Sequence, residues 1–281
     1  MTGEAAVAFV PGHVTGFFSA HPDPDPRVAG SRGAGLTLSD GVRVRVDPGG
    51  EGVRLDGDPA EIDPVGRVLD ALDATAGVDV ESDLPPGAGF GVSGAAALGT
   101  ALAANAALDA GRSENELVGV AHAAEVEADT GLGDVVAQAR GRLPIRLDPG
   151  GPAHGRLDGV PVPPETRVEY VVFGEVSTAD VIGGDTERLT RAGESALADL
   201  RERPTVDRFL DCSRRFAAEA DLLTERAGAA VEAVEAAGGR ASMAMLGDAA
   251  FAVGTGLSDA GYDPAVCRVH ASGARLVGDE G

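Results

Sequence analysis

Apolar residues along this chain recur with two periods, one of two residues and one of about 3.6, and their order sketches the elements. Ala5 to Val10 is an apolar run that predicts a short strand ending at Pro11-Gly12. Leu36 to Leu38, Val42 to Asp47 and Gly52 to Leu55 alternate between glycine turns, which predicts a small antiparallel sheet. Val65, Val68, Leu69 and Leu72 are spaced for a helix over Asp63 to Ala76, and Val78 to Val80 reads as a strand after it. From Gly94 to Leu108 the chain is apolar nearly all round, the pattern of a helix buried on every side. Ser113 with Glu116 three residues on is a capping box, opening a helix through Leu117, Val120, Ala121 and Ala124 towards Asp129. Gly131-Leu132-Gly133-Asp134 then turns the chain into a short helix to Arg140, and Leu143 to Leu147 reads as a strand end.

Pro and Gly are densest over Asp148 to Gly155, which places a domain boundary there, between 1–150 and 151–281. Beyond it, Val168 to Phe173 predicts a strand, Asp185 to Leu200 and Val206 to Ala236 predict Ala-rich helices, and Arg240 to Leu246, Ala250 to Val253 and Cys267 to His270 predict strands. No internal repeat is apparent.

Between the strand at Val78 and the Ala-rich helix the chain runs Leu-Pro-Pro-Gly-Ala-Gly-Phe-Gly-Val-Ser-Gly, from Leu84 to Gly94. This reads as an anion-binding loop. Gly87, Gly89 and Gly91 can take backbone angles closed to other residues and let a phosphate approach the main chain. Ser93 stands where an N-cap is wanted, with the free N–H groups of the helix start facing the ligand. An unliganded strand-to-helix turn can be written with the same glycines. The 23 basic residues are all Arg, and the absence of lysine excludes a Walker A loop and a protein-kinase β3 lysine together. Gly89, Gly91 and Gly94 fit Gly-x-Gly-x-x-Gly, but Asp109 follows a helix and does not end a second strand, which argues against a dinucleotide fold. Gly91-Val92-Ser93-Gly94-Ala95 lacks the last glycine of a serine-hydrolase elbow.

Composition narrows the class further. The chain has 281 residues, 43% of them hydrophobic but only 4% aromatic and none Trp, so its core is built from Ala, Val and Leu. The net charge of −22 is spread over the whole length, which sets the protein against nucleic acid and anionic membranes as partners. Dispersed acids, Arg without Lys, and abundant Ala and Gly together look like a cytosolic protein of a salt-accumulating halophile. Cys212 and Cys267 have no metal spacing and read as reduced core residues. No apolar run reaches spanning length, so a soluble, cytoplasmic protein is expected, with a homodimer left open.

Three stretches resemble the GHMP kinases, the family of galactokinase, homoserine kinase and mevalonate kinase. The family's second motif, Pro-x-x-x-Gly-Leu-Gly-Ser-Ser-Ala, stands here from Pro85 to Gly94 with Val92 for the first serine and Ser93 for the second. Its first motif is similar to Pro11-Gly12-His13-Val14-Thr15-Gly16-Phe17-Phe18, with His13 in place of the basic residue. A helical Glu followed by a small-residue turn bearing Asp matches Glu125 and Asp134. The glycine-rich third motif is reduced to Ala241 to Gly247, with Gly247 its one glycine.

The resemblance implies an α+β fold, with an N-terminal domain similar to a ribosomal-protein domain and a ferredoxin-like C-terminal domain. It implies ATP and Mg²⁺ as cofactors. ATP phosphates are expected at Pro86, Gly87, Ala88, Gly89, Gly91, Ser93 and Gly94, the metal at Ser93 and Glu125, with Glu127 a nearby competitor, and Asp134 is expected to take the proton from the acceptor hydroxyl. Oxygen ligands suit Mg²⁺, which uses few carboxylates and keeps its waters. No second His or Cys pair accompanies His122 and Glu125, so zinc is disfavoured. His13, Ser31, His122 and Arg146 are the expected acceptor contacts, Arg146 because a guanidinium can grip a carboxylate with two parallel hydrogen bonds. For these residues a turn histidine, a plain turn at Gly30-Ser31-Arg32-Gly33 and surface charge balance are the alternatives. The letters are most similar to the branch of the family that phosphorylates pantoate to 4-phosphopantoate on the way to coenzyme A. Shikimate, homoserine and mevalonate are the other acceptors, and a non-catalytic binding protein of the same fold is the alternative class, against which the joint retention of Ser93, Glu125 and Asp134 argues.

Self-repulsion of so many acids predicts a requirement for molar KCl. Thermal unfolding followed from about 0.1 M to above 1 M KCl, where the screening length falls from about 10 Å to about 3 Å, is expected to show stability rising with salt. Full stability and turnover at the low end would overturn the halophile reading.

Overall fold

The computed structural model describes residues 3–174 and 186–278. Two long strands, β1 (Ala6–His21) and β2 (Gly30–Asp47), organise the first sheet, antiparallel from Ala6↔Val46 to His21↔Gly30. The sequence pattern stops at Val10 and resumes at Leu36, whereas the strands run straight through. The pattern fails because the pairing is irregular twice: between Pro11 and His13, opposite Gly41 and Thr37, β2 carries two extra residues, and between Thr15 and Phe17 β1 carries one, which shifts its alternation by one residue. Glycine makes the second one feasible, since a Cβ on Gly16 would lie 2.5 Å from the Phe209 ring. In the loop joining the strands, Asp23 and Asp25 accept the backbone N–H groups of Asp25 and Arg27 at 2.9 and 3.0 Å, so they are turn-formers.

The second half of β2 pairs with β5 (Gly77–Ser82), and its first half with β6 (Leu143–Asp148) at Gly33↔Arg146. β3 (Val53–Leu55) and β4 (Asp58–Pro59) extend the β5 side, β7 (Arg156–Val160) pairs with β6, and β12 (Arg275–Val277) lies on β1. The second sheet is antiparallel, in the order β11 (Ala265–Arg268), β8 (Arg167–Gly174), β10 (Asp248–Val253), β9 (Ala241–Met243). The strand expected to reach Leu246 ends at Met243, because Leu246 turns the chain at φ 66°.

Helix α1 (Asp63–Ala71) stops short of Ala76, with Asp73 in the left-handed region. α2 (Val92–Ala107) lies on the first sheet, and its Ala and Gly content sets how closely. A Cβ on Gly99 would stand 2.4 Å from Val44 Cγ2, so backbone meets side chain directly. α3 (Glu114–Glu127) opens on the expected capping box, and α4 (Asp134–Arg140) follows. α5 (Thr186–Glu202), α6 (Val206–Glu219) and α7 (Glu225–Ala236) come from the second half, and Asp185, expected as the start of α5, lies outside the described residues. The expected single helix over Val206 to Ala236 breaks at Asp221, where φ is 61°. A one-turn α8 (Gly256–Asp259) completes the set. Phe17 meets Phe209 at 6.2 Å between ring centroids and Phe209 meets Phe251 at 6.2 Å, so one apolar core runs from β1 through α6 into the second sheet. Among the described residues no helix is long and apolar enough to cross a membrane.

The α5 contact with β1 is tight at Gly193, where a Cβ would sit 2.0 Å from the Phe18 carbonyl oxygen. Gly193→Ala must push the helix away and is expected to destabilise by about 1–3 kcal/mol. Gly228→Ala, whose Cβ meets only Leu223 at 3.5 Å in mid-helix, is expected to be neutral or stabilising by up to ~1 kcal/mol. Chemical denaturation of the two variants checks this; equal effects would reject the tight-contact account.

Candidate active site

The glycine-rich loop has the backbone its letters demand. Gly87, Gly89 and Gly91 have φ of 75°, 86° and 66°. Gly91, and not the expected Ser93, is the N-cap of α2, and it makes no side-chain cap. Ser93 therefore sits inside the first turn, its hydroxyl free of a capping role. Pro86, Gly87, Gly89, Gly91 and Ser93 line a cleft of about 320 Å³ that also touches Thr15, Thr130, Asp134 and Leu246. Ala88 and Gly94 do not line it: the Ala88 side chain is fully buried in the core, and Gly94 faces Glu125 and Gln138 beneath the loop. Two larger hollows, of about 620 and 920 Å³, lie along α3 and beside the β1–β2 loop, and neither is lined by Asp134.

Asp134, the first residue of α4, stands where the cleft meets β1, its side chain 16% exposed. His13 Nδ1 lies 2.6 Å from Asp134 Oδ1, and Thr15 Oγ1 donates to the same oxygen at 3.2 Å. Residues two apart on a strand share a face, which is how β1 brings both to one carboxylate. Burial alone would raise the Asp134 carboxyl, but the His13 hydrogen bond, the nearby charge of Arg146 and the Thr15 hydroxyl together hold it below its ordinary value. Burial lowers His13 in spite of Asp134, so its imidazole is neutral and Nδ1–H is the donor. His13 Nε2 is buried without a partner, which an unprotonated nitrogen tolerates better than an orphaned N–H would. His13, expected against the acceptor, is fully enclosed and reaches Asp134 instead.

Arg146 and Ser31 do lie beside this group. Arg146 is 2% exposed on β6, its Nε donates to Ser31 Oγ at 3.2 Å, and its Nη1 is buried with no hydrogen-bond partner. Burial lowers its pKa and Asp134 raises it, and guanidinium remains a cation at neutral pH. Arg146 and Ser31 with Thr15, Phe18, Leu132, Gly133, Asp134 and Leu246 line a small cavity of about 10 Å³. His122, also expected there, is not among its lining residues; His122 Nε2 is 2.8 Å from the Ala29 carbonyl oxygen just ahead of β2.

Glu125 is 2% exposed on α3. Burial pushes its carboxyl up to about 7, against hydrogen bonds from the Thr130 and Ser93 hydroxyls and with the Asp134 charge adding to the rise. Thr130 Oγ1 donates to it at 2.7 Å. The competitor Glu127 is on the outer face, paired with Arg67 Nη1 at 3.3 Å. Among the described residues no group of three or more His, Cys, Asp or Glu is placed to hold a metal. A divalent cation that takes most of its oxygens from water and phosphate still fits. Ser93 and Glu125 touch beneath a phosphate-type loop, and the Glu125 carboxyl is buried with no cationic partner among the described residues, which a metal would correct.

Thr15, Thr130 and Gln138 were not singled out from the sequence. Gln138, four residues after Asp134 on the same helical face, donates Nε2–H to the Gly91 carbonyl at 2.8 Å, and its Oε1 is buried without a partner. That i+4 spacing and the i+2 spacing of Thr15 from His13 were the available signals.

A family model described as GHMP kinases N terminal domain matches residues 64–142. The chain is 35% identical over 262 residues to the pantoate kinase of Thermococcus kodakarensis, covering 88% of this chain and 86% of that one. It is 31% identical over 252 residues to the pantoate kinase of Methanocaldococcus jannaschii, covering 87% and 91%. Among solved structures it is similar to a phosphotransferase related to the CoA biosynthesis pathway, with a TM-score of 0.85 at 29% identity over 99% of this chain and 100% of that one.

A carboxyl raised to about 7 from an unfolded value near 4.5 leaves the folded protein most stable below pH 4.5 with respect to this group, and the advantage is lost as pH rises through 7. The loss approaches about 3 kcal/mol. In metal-free buffer Glu125→Gln is therefore expected to raise Tm over the parent at pH 8 and much less at pH 5.5. A difference independent of pH would reject the buried-charge account.

Proposed function

The chain belongs to the GHMP kinase family, and from that premise we propose that it transfers the γ-phosphoryl group of ATP to the primary hydroxyl of pantoate, giving 4-phosphopantoate and ADP. The observation that carries the proposal is the position of Asp134. An ionised carboxylate, fixed by His13 and Thr15, stands between the phosphate loop and the one buried guanidinium of the small cavity. Likeness to two pantoate kinases over 86% or more of each chain supports pantoate over other acceptors.

In this reading Asp134 takes the proton as the acceptor oxygen forms its bond to phosphorus and the bond to the ADP oxygen breaks. The loop from Pro86 to Ser93 and the start of α2 offer main-chain N–H groups to the phosphates. Ser93 and Glu125 would hold Mg²⁺, which when bound neutralises developing charge on the transferred group. Arg146, with Nη1 unpartnered, binds the acceptor carboxylate, and Ser31, already held by Arg146, faces its hydroxyls. An ammonium-bearing acceptor such as homoserine finds no carboxylate in the cavity other than the base itself, which favours a hydroxy acid. His122 serves the site at one remove, by fixing the entry to β2. Residues 1–150 carry this chemistry, and 151–281 supply the Met245-Leu246 turn that closes it.

ADP formation from Mg-ATP in molar KCl against pantoate, shikimate, homoserine and mevalonate tests the acceptor, with turnover expected on pantoate alone. Asp134→Asn is expected to lower kcat by about 10²–10⁴ with nucleotide affinity kept. Turnover near the parent rate in that variant would reject Asp134 as the base.

A further inference from the structure

Leu246 stands where the geometry asks for glycine. Its φ of 66° is in the left-handed region, and a branched side chain is strained there. The turn around it is fixed on both sides. Met245 N–H donates to the Thr15 carbonyl at 3.1 Å, Ala244 N–H donates to the Ala249 carbonyl at 2.9 Å, and Gly247 lies so close to Ala88 that a Cβ would be 2.1 Å from its carbonyl oxygen. The packing over-determines the backbone, and a strained residue held in that way points to a use for its side chain.

The use follows from position. Three residues line both the nucleotide cleft and the small cavity beside Arg146, namely Thr15, Asp134 and Leu246. Thr15 and Asp134 are shared because the proton acceptor faces both reactants. Leu246 is the one apolar side chain among the three. The cavity as it stands, about 10 Å³, has room for no more than one water, so its lining must give way to any acceptor. Phe18, Ser31 and Arg146 are 3% exposed or less and belong to packed strands, whereas Leu132 and Leu246 are half-buried at turns, and of these two it is Leu246 that also lines the nucleotide cleft.

We infer that Leu246 is a specificity-determining residue: it is the movable wall between donor and acceptor, packing against the apolar flank of the acceptor and keeping water from the γ-phosphate. The inference rests on the reading of the Arg146 cavity as the acceptor site. A bulky side chain at this turn sets the width of the cavity, so an acceptor bearing methyl groups fills it and a bare one leaves a gap. With the wall removed, water reaches the phosphoryl group and ATP is hydrolysed without an acceptor.

Leu246→Gly is the primary test, because glycine is at ease at this φ and the variant is expected to unfold at no lower temperature than the parent. Leu246→Ala, which keeps a Cβ, is the second. ADP formation is measured with pantoate, with 2,4-dihydroxybutanoate, which lacks the two methyl groups, and with no acceptor. The preference for pantoate over the unmethylated acid is expected to fall by about tenfold, the scale of discrimination from methyl-sized contacts. The acceptor-free rate is expected to rise, and the KM for Mg-ATP to change less than that for the acceptor. Parental preference together with a parental acceptor-free rate in both variants would overturn the inference. Should the parent protein itself phosphorylate neither acid, the functional reading fails, and the acceptor-free rate decides alone: a rise in Leu246→Gly upholds the wall and no rise overturns it.

Discussion

The site depends on one contact across 121 residues, between His13 Nδ1 on β1 and Asp134 Oδ1 at the start of α4. Placing a carboxylate in a mostly buried position is unfavourable unless donors surround it. Here the donors are a neutral imidazole and a hydroxyl, with the guanidinium of Arg146 acting through its field. A histidine in this position differs from a lysine in what it leaves over. It fixes the Asp134 carboxylate and supports its ionised form without adding a formal charge. The full positive charge of Arg146 thus remains available to an anion, as the proposed acceptor would be, and its Nη1 has no hydrogen-bond partner.

Two carboxylates packed against the glycine-rich loop, Asp134 beside Gly91 and Glu125 beside Gly94, are tuned in opposite directions. Asp134 is held below its usual range by donors, and Glu125 is pushed up to about 7 by burial that two hydroxyls only partly offset. Environments that drive paired acids apart assign them different tasks. The one that is ionised in the protein alone is fit to accept a proton; the one that resists ionisation becomes favourable only beside a cation. The surrounding charge sharpens the division. A chain at −22 repels anionic ligands at long range, so in the proposed reading affinity comes from short-range features: the loop N–H groups, the start of α2 and Arg146. High salt removes the first effect and leaves the second nearly intact, because screening acts on exposed charges more than on enclosed ones.

What the sequence made legible was chemistry carried by local spacing. The loop from Pro85 to Gly94 and the capping box at Ser113 follow from backbone rules that act over a few residues, and Ser93, Glu125, Asp134, Ser31 and Arg146 do converge. The misplacements have physical causes. β1 and β2 were read as fragments because bulged strands lose the period of two, and Gly12, Gly16, Gly33 and Gly35 carry no side chain to report burial. Serine favours the N-cap, which makes Ser93 the expected one, yet Gly91 takes it with a left-handed backbone that serine rarely adopts. His13 is expected at the acceptor from its place in the first motif, and His122 from standing one helical turn from Glu125. Which of them faces a cavity is decided by β1 and α3 packing against elements far away in the chain, and nothing local encodes it.

The reduced third glycine motif follows from the same packing. Where the phosphate loop and the turn after β9 press together, two glycines make the approach possible, Gly89 against the Met245 carbonyl and Gly247 against that of Ala88. A side chain at either would separate backbone from backbone and let the loop relax away from the positive φ values that open it to a phosphate. Gly247 thus stands where a side chain would force backbone from backbone. Leu246 beside it is a large residue at a strained angle, on the boundary of the two cavities. The second half of the chain, whose described residues carry none of the charged groups around Asp134, shapes the loop through Gly247 and the small cavity through Leu246.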